Sequence, residues 1–244
     1  MDDSGNFAPY GVAVGYYALS GANTVTGNVC VGYQTGNVAT SSTGLVAVGY
    51  RAAKANTVGE FNTAIGHDAL YKNIVGDGNT AFGYQALQEV VGADGEGNNV
   101  GIGNAAGKYL STGTGNIFIG ASSGLGAGSG AEITGTFNTA IGTSSAQRLQ
   151  GAASQNVMIG GYAADNLTTG MYNTVVGYKA LSAAQDVDKT VAIGMYALDA
   201  ANDNGINGTI AIGYGAGGAL APHANAGSDA VGGVYIGRLA AQNL

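Results

Sequence analysis

Few side chains in this 244-residue chain stand close enough in sequence to act together as a catalytic pair. The adjacent residues His67 and Asp68 could form an acid–base pair, and two carboxylates such as Asp186 and Asp188 could hydrolyse a glycosidic bond. On a strand, however, His67 and Asp68 would point to opposite faces, so we interpret His67 as a surface or interface residue. The paired acids lie in loop-like stretches, where solvated turn residues are the ordinary case.

The other candidates are isolated. Asp94 and Glu96 form a second acidic pair, but the tract 94–99 that contains them matches neither the EF-hand nor the glycine-rich calcium roll. His223 lies in an irregular insertion, and Cys30 is the single cysteine, at a position where other repeats usually have Ala. We therefore expect a non-enzymatic protein with no catalytic, cofactor-binding or metal-binding residues and no cofactor.

Composition and charge limit the classes of partner and of fold that are open to the chain. The chain has 8 basic and 15 acidic residues, a net charge of −7 and no basic cluster, which argues against nucleic-acid binding. The chain contains no run of about 18 apolar residues, so we expect no membrane insertion. With 45 glycines the chain is a poor helix former, because Gly costs about 1 kcal/mol per interior helical position relative to Ala. A hydrophobic fraction of 45% nevertheless predicts a folded protein.

The chain is a series of repeats of about seventeen residues, each with one anchor glycine. Intervals between successive anchor glycines are 17, 17, 17, 17, 20, 17, 22, 18, 17, 17, 19 and 24 residues. The thirteen anchors are Gly15, Gly32, Gly49, Gly66, Gly83, Gly103, Gly120, Gly142, Gly160, Gly177, Gly194, Gly213 and Gly237. This period predicts a single repeat array over residues 1–244, uncapped at both ends: an all-β, parallel β-solenoid (β-roll) of about 13 short coils.

Each anchor follows a three-residue pattern that predicts a short strand. The residue three before the glycine is always β-branched, and the residue directly before it is always apolar, so we predict that the latter fills the core. The predicted core residues are Val14, Val31, Val48, Ile65, Phe82, Ile102, Ile119, Ile141, Ile159, Val176, Ile193, Ile212 and Ile236.

The residue between these two columns is small or apolar rather than polar, so both faces of the sheet should be buried. A second buried face implies a partner, and the simplest partner is another copy of the chain. The predicted trimer-interface residues are Ala13, Ala47, Ala64, Ala81, Phe118, Ala140, Met158, Val175, Ala192, Ala211 and Tyr235.

Two further columns complete the repeat. A position after the anchor is often Tyr, and Ala usually stands three residues after the anchor, which predicts a short strand or, as the competing interpretation, one helical turn. Asn opens the first strand in eight repeats, where stacked copies could hydrogen-bond along the axis as a ladder. These residues are Asn28, Asn62, Asn79, Asn99, Asn116, Asn138, Asn156 and Asn173.

The segments NTAIGHDAL (62–70), NTAFGYQAL (79–87), NTAIG (138–142) and NTVVGYKAL (173–181) resemble two related repeat groups. One is the β-roll head of trimeric autotransporter adhesins, and the other is the NTAxGxxAL repeat of phage tail-fibre-like proteins. The resemblance spans about residues 12–241 and implies an elongated, non-enzymatic homotrimer. The period of seventeen is longer than the adhesin coil, which favours the fibre group.

We therefore expect a structural fibre or shaft protein of a phage or phage-like particle, located in the virion or at a cell surface. Its loops would bind a host-surface glycan or protein, and its ends would stack on other copies or on flanking fibre domains. The alternatives are a bacterial trimeric adhesin head and a self-stacking extracellular filament subunit. An enzyme or an ice-binding solenoid is less favoured, since Thr occupies the β-branched column at only Thr63, Thr80, Thr139 and Thr174.

Overall fold

The fold was obtained as a computed structural model that describes residues 10–21, 24–92, 97–201, 206–218, 220 and 232–241. It contains thirteen strands of three residues, one before each anchor glycine. They are β1 (Val12–Val14), β2 (Val29–Val31), β3 (Val46–Val48), β4 (Thr63–Ile65), β5 (Thr80–Phe82), β6 (Val100–Ile102), β7 (Ile117–Ile119), β8 (Thr139–Ile141), β9 (Val157–Ile159), β10 (Thr174–Val176), β11 (Val191–Ile193), β12 (Ile210–Ile212) and β13 (Val234–Ile236).

The strands fall into two compact units, residues 1–116 with β1–β6 and residues 117–244 with β7–β13. Within each unit every strand pairs in parallel with the next strand along the chain, and equivalent repeat positions lie side by side. A repeat of constant length brings the same residue type back to the same place on each coil. The predicted all-β parallel solenoid is confirmed.

The inward and outward columns are the reverse of those predicted. The central residue of most strands points into the coil and is fully buried in the single chain, whereas both flanking residues are half-buried or exposed. The predicted interface residues that are instead interior are Ala47, Ala64, Ala81, Phe118, Ala140, Met158, Val175, Ala192 and Ala211. Of the other two, Ala13 is exposed and Tyr235 is half-buried, in the strands β1 and β13.

The predicted core column, by contrast, lies on the outer face of the sheet. Its residues Val14, Val31, Val48, Ile65, Phe82, Ile102, Ile119, Ile141, Ile159, Val176, Ile193, Ile212 and Ile236 are all half-buried or exposed. The physical reason is space. A short coil has a narrow interior, so its strand can turn only a small residue inward when the leucine of the following turn fills the rest.

In the coil of Phe118, the following turn makes room for the large inward ring. Where the strand centre is Ala64 or Ala81, the buried residue four positions after the anchor glycine is Leu70 or Leu87. Where the strand centre is Phe118, the equivalent position is Gly124, and a Cβ there would collide with the Phe118 ring. The Phe118 ring therefore occupies the space that a turn leucine fills in the coils of Ala64 and Ala81.

The anchor glycine is required by two independent constraints. Gly66, for example, has φ +134, and a Cβ there would collide with the backbone carbonyl of Gly83 in the next coil. A side chain would thus be strained in conformation and would also push the coils apart. The anchor position therefore needs glycine both for its positive φ and for the close approach of the next coil's backbone.

The segment after the anchor is neither the predicted strand nor the predicted helical turn. The second and fourth residues after the glycine adopt left-handed conformations, as at Asp68 (φ 56) and Leu70 (φ 51). Their backbone N–H groups donate to opposite neighbours, that of Asp68 to Tyr50 and that of Leu70 to Ala86. Alternating backbone conformations of this kind interrupt both regular structures. In the described residues there is no helix long and apolar enough to cross a membrane.

The predicted asparagine ladder is confirmed. Oδ1 of Asn62 accepts the backbone N–H of Asn79 at 2.9 Å, and Oδ1 of Asn156 accepts that of Asn173 at the same distance. Several of these side-chain amides also donate to a turn carbonyl, as from Asn156 Nδ2 to Gly170 O at 2.8 Å. The amide both accepts and donates, so it satisfies backbone groups that no water reaches.

Candidate interaction surfaces

The outer face of the sheet is an uncharged apolar surface. Each of the thirteen strands contributes two outward side chains, and every one of these is Val, Ile, Phe or Thr. Several are strongly exposed, among them Phe82 at 53%. An extended apolar patch of this kind is rare on a protein that stays monomeric.

Four exposed aromatic residues border this face. They lie two residues before a strand, at positions with left-handed φ of 63°, 55°, 57° and 62°, and are Tyr10, Phe61, Phe137 and Tyr172. Other coils place Gly there, as at Gly44 and Gly78. A bulky residue in this conformation is costly and is not needed to close the coil, so these rings extend the apolar face rather than support the fold.

In the first unit, the residues directly after the anchor glycines form a stacked aromatic ladder. The ring centroids of Tyr16 and Tyr33 are 5.7 Å apart, those of Tyr33 and Tyr50 5.1 Å, and those of Tyr50 and His67 4.7 Å. The ladder continues to Tyr84, 5.4 Å from His67. The rings cover one another's faces, so the ladder presents ring edges to solvent.

An ion pair braces the middle of this ladder. Arg51 donates to both carboxylate oxygens of Asp68, at 2.8 and 2.7 Å, and its guanidinium lies 4.9 Å from the ring centroids of both Tyr50 and Tyr71. Hydrogen bonding to Asp68 raises the pKa of the Arg51 guanidinium, which therefore keeps its positive charge at any ordinary pH. Bidentate geometry and a nearly buried carboxylate make this ion pair stronger than a typical surface pair.

The interpretation of His67 and Asp68 needs one correction. They lie in a turn rather than a strand, and His67 Nδ1 is 3.2 Å from Asp68 Oδ2. That carboxylate is already held by Arg51, and the His67 ring is held between Tyr50 and Tyr84. The Arg51–Asp68 pair and the ring contacts of His67 thus join neighbouring coils.

The second unit has a different aromatic ladder. Tyr162, Tyr178, Tyr196 and Tyr214 follow one another at centroid distances of 6.0, 5.8 and 6.1 Å, with interplanar angles between 83° and 89°. Lys179 lies 5.9 Å from the ring centroids of both Tyr162 and Tyr178. The sequence analysis missed Tyr162 and Tyr196, because they stand two residues after the anchor glycine instead of one. A search for tyrosine at either of these two positions would have found the whole ladder.

The remaining candidates take structural roles or lie outside the described residues. Asp188 Oδ1 accepts the backbone N–H of Met171 at 2.7 Å, and Asp186 Oδ1 accepts the hydroxyl of Thr169 at 2.9 Å. Within the described part of the chain no three His, Cys, Asp or Glu side chains gather as metal ligands. Asp94, Glu96 and His223 are outside the described residues.

Cys30 is buried inside its coil as a free thiol. Comparison of the chain with protein-family models, with curated proteins and with solved structures finds no match.

Proposed function

We propose that this chain is a structural subunit of a fibre, such as the tail fibre of a phage or phage-like particle, and that it assembles as a homotrimer through the outer face of its sheet. One observation carries the proposal: the two outward columns hold only Val, Ile, Phe and Thr, and all of them are at least partly exposed in the single chain. Covering an apolar surface of this extent lowers the free energy of the protein in water.

The second unit offers part of such an interface. Its seven strands present fourteen outward side chains. The most exposed of these are Val157, Ile159, Val234 and Ile236, at 37%, 38%, 60% and 67%. An interface of about 800 Å² on each partner would also include turn residues beside the strands.

A second copy is the best-supported occupant. The face has no charged side chain in its strands, so copies of a chain with net charge −7 can approach there without placing like charges opposite one another. Equivalent strands also have the same spacing on every copy, which lets side chains from one sheet fit between those of another. The number of copies, three, follows from the resemblance to trimeric fibres and adhesins.

Host recognition then falls to the surfaces that assembly leaves open, namely the turns, the loops and the ring edges. Repeated weak contacts on three chains would give avidity at a cell surface. A bacterial adhesin head or an extracellular filament subunit would use the same face, and the remainder of the gene distinguishes them by the presence or absence of a membrane anchor.

The test is the mass of the assembly measured by light scattering at micromolar concentration. We expect three times the 23.9 kDa of one chain. Ile141→Asp and Ile193→Asp, on the outer face of β8 and β11, should reduce this mass, because they place a carboxylate at each copy's interface. Gln88→Asp, which adds the same charge in a turn, is the matched control.

Circular dichroism verifies that each variant keeps the solenoid. A monomeric wild-type chain would refute the proposal. So would Ile141→Asp and Ile193→Asp proteins that keep the wild-type mass, since the outer face would then not be the interface.

A further inference from the structure

The second unit contains a pocket that the repeat itself does not require. The interval between Gly120 and Gly142 is 22 residues rather than 17, and the extra residues form one wall of a shallow cavity of about 480 Å³. Leu125 and Ala127 line this wall, and Gln147, Arg148, Gln150 and Thr168 line the rest. The volume lies within the range of pockets that hold small ligands.

The inserted segment is fixed at both ends. Gly126 N donates to Gln147 O at 3.1 Å where the segment leaves the coil, and the buried residue Ile133 pairs with Gly151 where it returns. Between these points, a Cβ on Gly128 or Gly130 would meet open space. The insertion is thus anchored beside the pocket without contributing a strand.

The pocket contains a cation that is free to bind a ligand. Arg148 is exposed, and its guanidinium forms no ion pair or side-chain hydrogen bond within the described residues. The nearby carboxylate of Asp165 does not pair with it: Oδ1 of Asp165 is buried and has no hydrogen-bond partner. Burial raises the pKa of Asp165, an effect that the charges of Lys179 and Arg148 partly offset.

The polar groups around Arg148 suit a ligand rich in hydroxyls. The side-chain amides of Gln147 and Gln150 make no hydrogen bond within the described residues, and each can both donate and accept. The Thr168 hydroxyl already donates to Gln185 O at 2.7 Å, so it is available as an acceptor. Leu125 and Ala127 add a small apolar wall opposite these groups.

We infer that this pocket binds a carboxylate-bearing sugar, such as a sialic or uronic acid residue of an anionic glycan. Arg148 holds the carboxylate in a two-pronged hydrogen-bonded pair. Gln147, Gln150 and Thr168 bind ring hydroxyls, and Leu125 packs against the C–H face of the sugar. This inference names a ligand for the proposed fibre and rests on that function for its biological role, but the pocket is formed by a single chain.

The test uses saturation-transfer NMR on the full chain, with the methyl glycosides of N-acetylneuraminic acid and glucuronic acid as probes and methyl galactoside as the neutral comparison. We expect signals for at least one acidic sugar and none for the neutral one. Arg148→Gln should weaken binding at least about tenfold, and Arg148→Lys should retain part of it because only the point charge remains. Arg238→Gln, which removes a cation beside Tyr214 outside the pocket, is the matched control and should bind like wild type.

The inference is overturned if neither acidic sugar binds, if Arg148→Gln binds as well as wild type, or if the neutral sugar binds equally. Competition by inorganic sulfate as strong as that by the acidic sugars would overturn the sugar assignment. Light scattering on the same samples separates this result from the proposed function: a monomer that still binds through Arg148 refutes only assembly, and a trimer that does not bind refutes only the pocket.

Discussion

The two units solve the same stacking problem with different aromatic geometry. In the first unit, Tyr16, Tyr33 and Tyr50 occupy identical repeat positions, and their rings stack with interplanar angles of 12° and 9°. In the second, Tyr178 and Tyr196 occupy positions that differ by one residue, and their rings meet at 84°. Neighbouring coils are about 4.8 Å apart, so identical positions give stacked rings and a one-residue offset gives edge-to-face pairs.

The interiors of the two units also differ in the regularity of their inward residues. The first unit keeps small residues at the strand centre, such as Ala47, Ala64 and Ala81, whereas the second varies from Ala140 to Phe118. In the Phe118 coil the large inward residue is accompanied by Gly124, where the coils of Ala64 and Ala81 have leucine. Matched variants in the two units can test whether this difference has consequences for stability.

The largest expected effect concerns the Phe118 coil. Phe118→Ala should destabilise the protein by about 3–5 kcal/mol, because it leaves a cavity in a fully buried site. Gly124→Leu in the wild-type background should also destabilise, since the added side chain meets the Phe118 ring. The double variant restores the pairing of Ala64 with Leu70 seen in the first unit. Its stability should therefore exceed that of either single variant in urea denaturation.

The backbone permits this exchange, because φ is +52° at Gly124 and +51° at Leu70. Phe61→Ala is the control: that ring is 64% exposed and its loss should change stability little. Additive effects of Phe118→Ala and Gly124→Leu would show that the two positions do not share one volume.

An intermediate effect is expected for the ladders. Tyr33→Ala and Tyr178→Ala each remove a ring with two aromatic neighbours, and the two rings are similarly exposed, at 40% and 42%. Each variant should lose about 1–3 kcal/mol, since one aromatic pair contributes about 0.5–1.5 kcal/mol beyond its buried area.

Near-ultraviolet circular dichroism should separate the two ladders, because only Tyr33→Ala interrupts parallel stacked rings. Tyr10→Ala removes a ring that is 92% exposed and should leave both stability and spectrum unchanged. If Tyr33→Ala were as neutral as Tyr10→Ala, the stacked ladder would contribute nothing to the fold.

The sequence predicted the strands because glycine recurs with a β-branched residue three positions before it, and the asparagine ladder because its members share one repeat position. Its prediction of which side of the strand faces inward was wrong. Val46, Ala47 and Val48 are all apolar, so their pattern is compatible with either face. The width of the coil determines which face is inward. This width depends on the inward Leu and Ala of the turn, and the residue types there did not predict their left-handed conformations.

The pocket could not be predicted from the sequence either, although the sequence shows the insertion that forms one of its walls. The 22-residue interval marked an irregular coil, but lining residues come from three coils, Leu125 from one, Arg148 from the next and Thr168 from a third. Only the register of the stacked coils brings them together.

The smallest expected effect tests whether the small-residue column of the first unit stays closed. Cys30 occupies this column, and burial raises the pKa of its thiol from an ordinary 9.0 to about 12. The folded chain should therefore show almost no thiolate at pH 8 and no labelling by a maleimide, while the denatured chain should label once. Ala211→Cys, at the same repeat position in the second unit, should be equally inert, and Tyr10→Cys should add one label.

Since the unfolded thiol ionises first as the pH rises, Cys30 lowers stability only above about pH 9. Cys30→Ala should remove that decline and cost about 1 kcal/mol or less near neutral pH. Rapid native labelling of Cys30 but not of Ala211→Cys would mean that the more regular unit is also the more easily opened one.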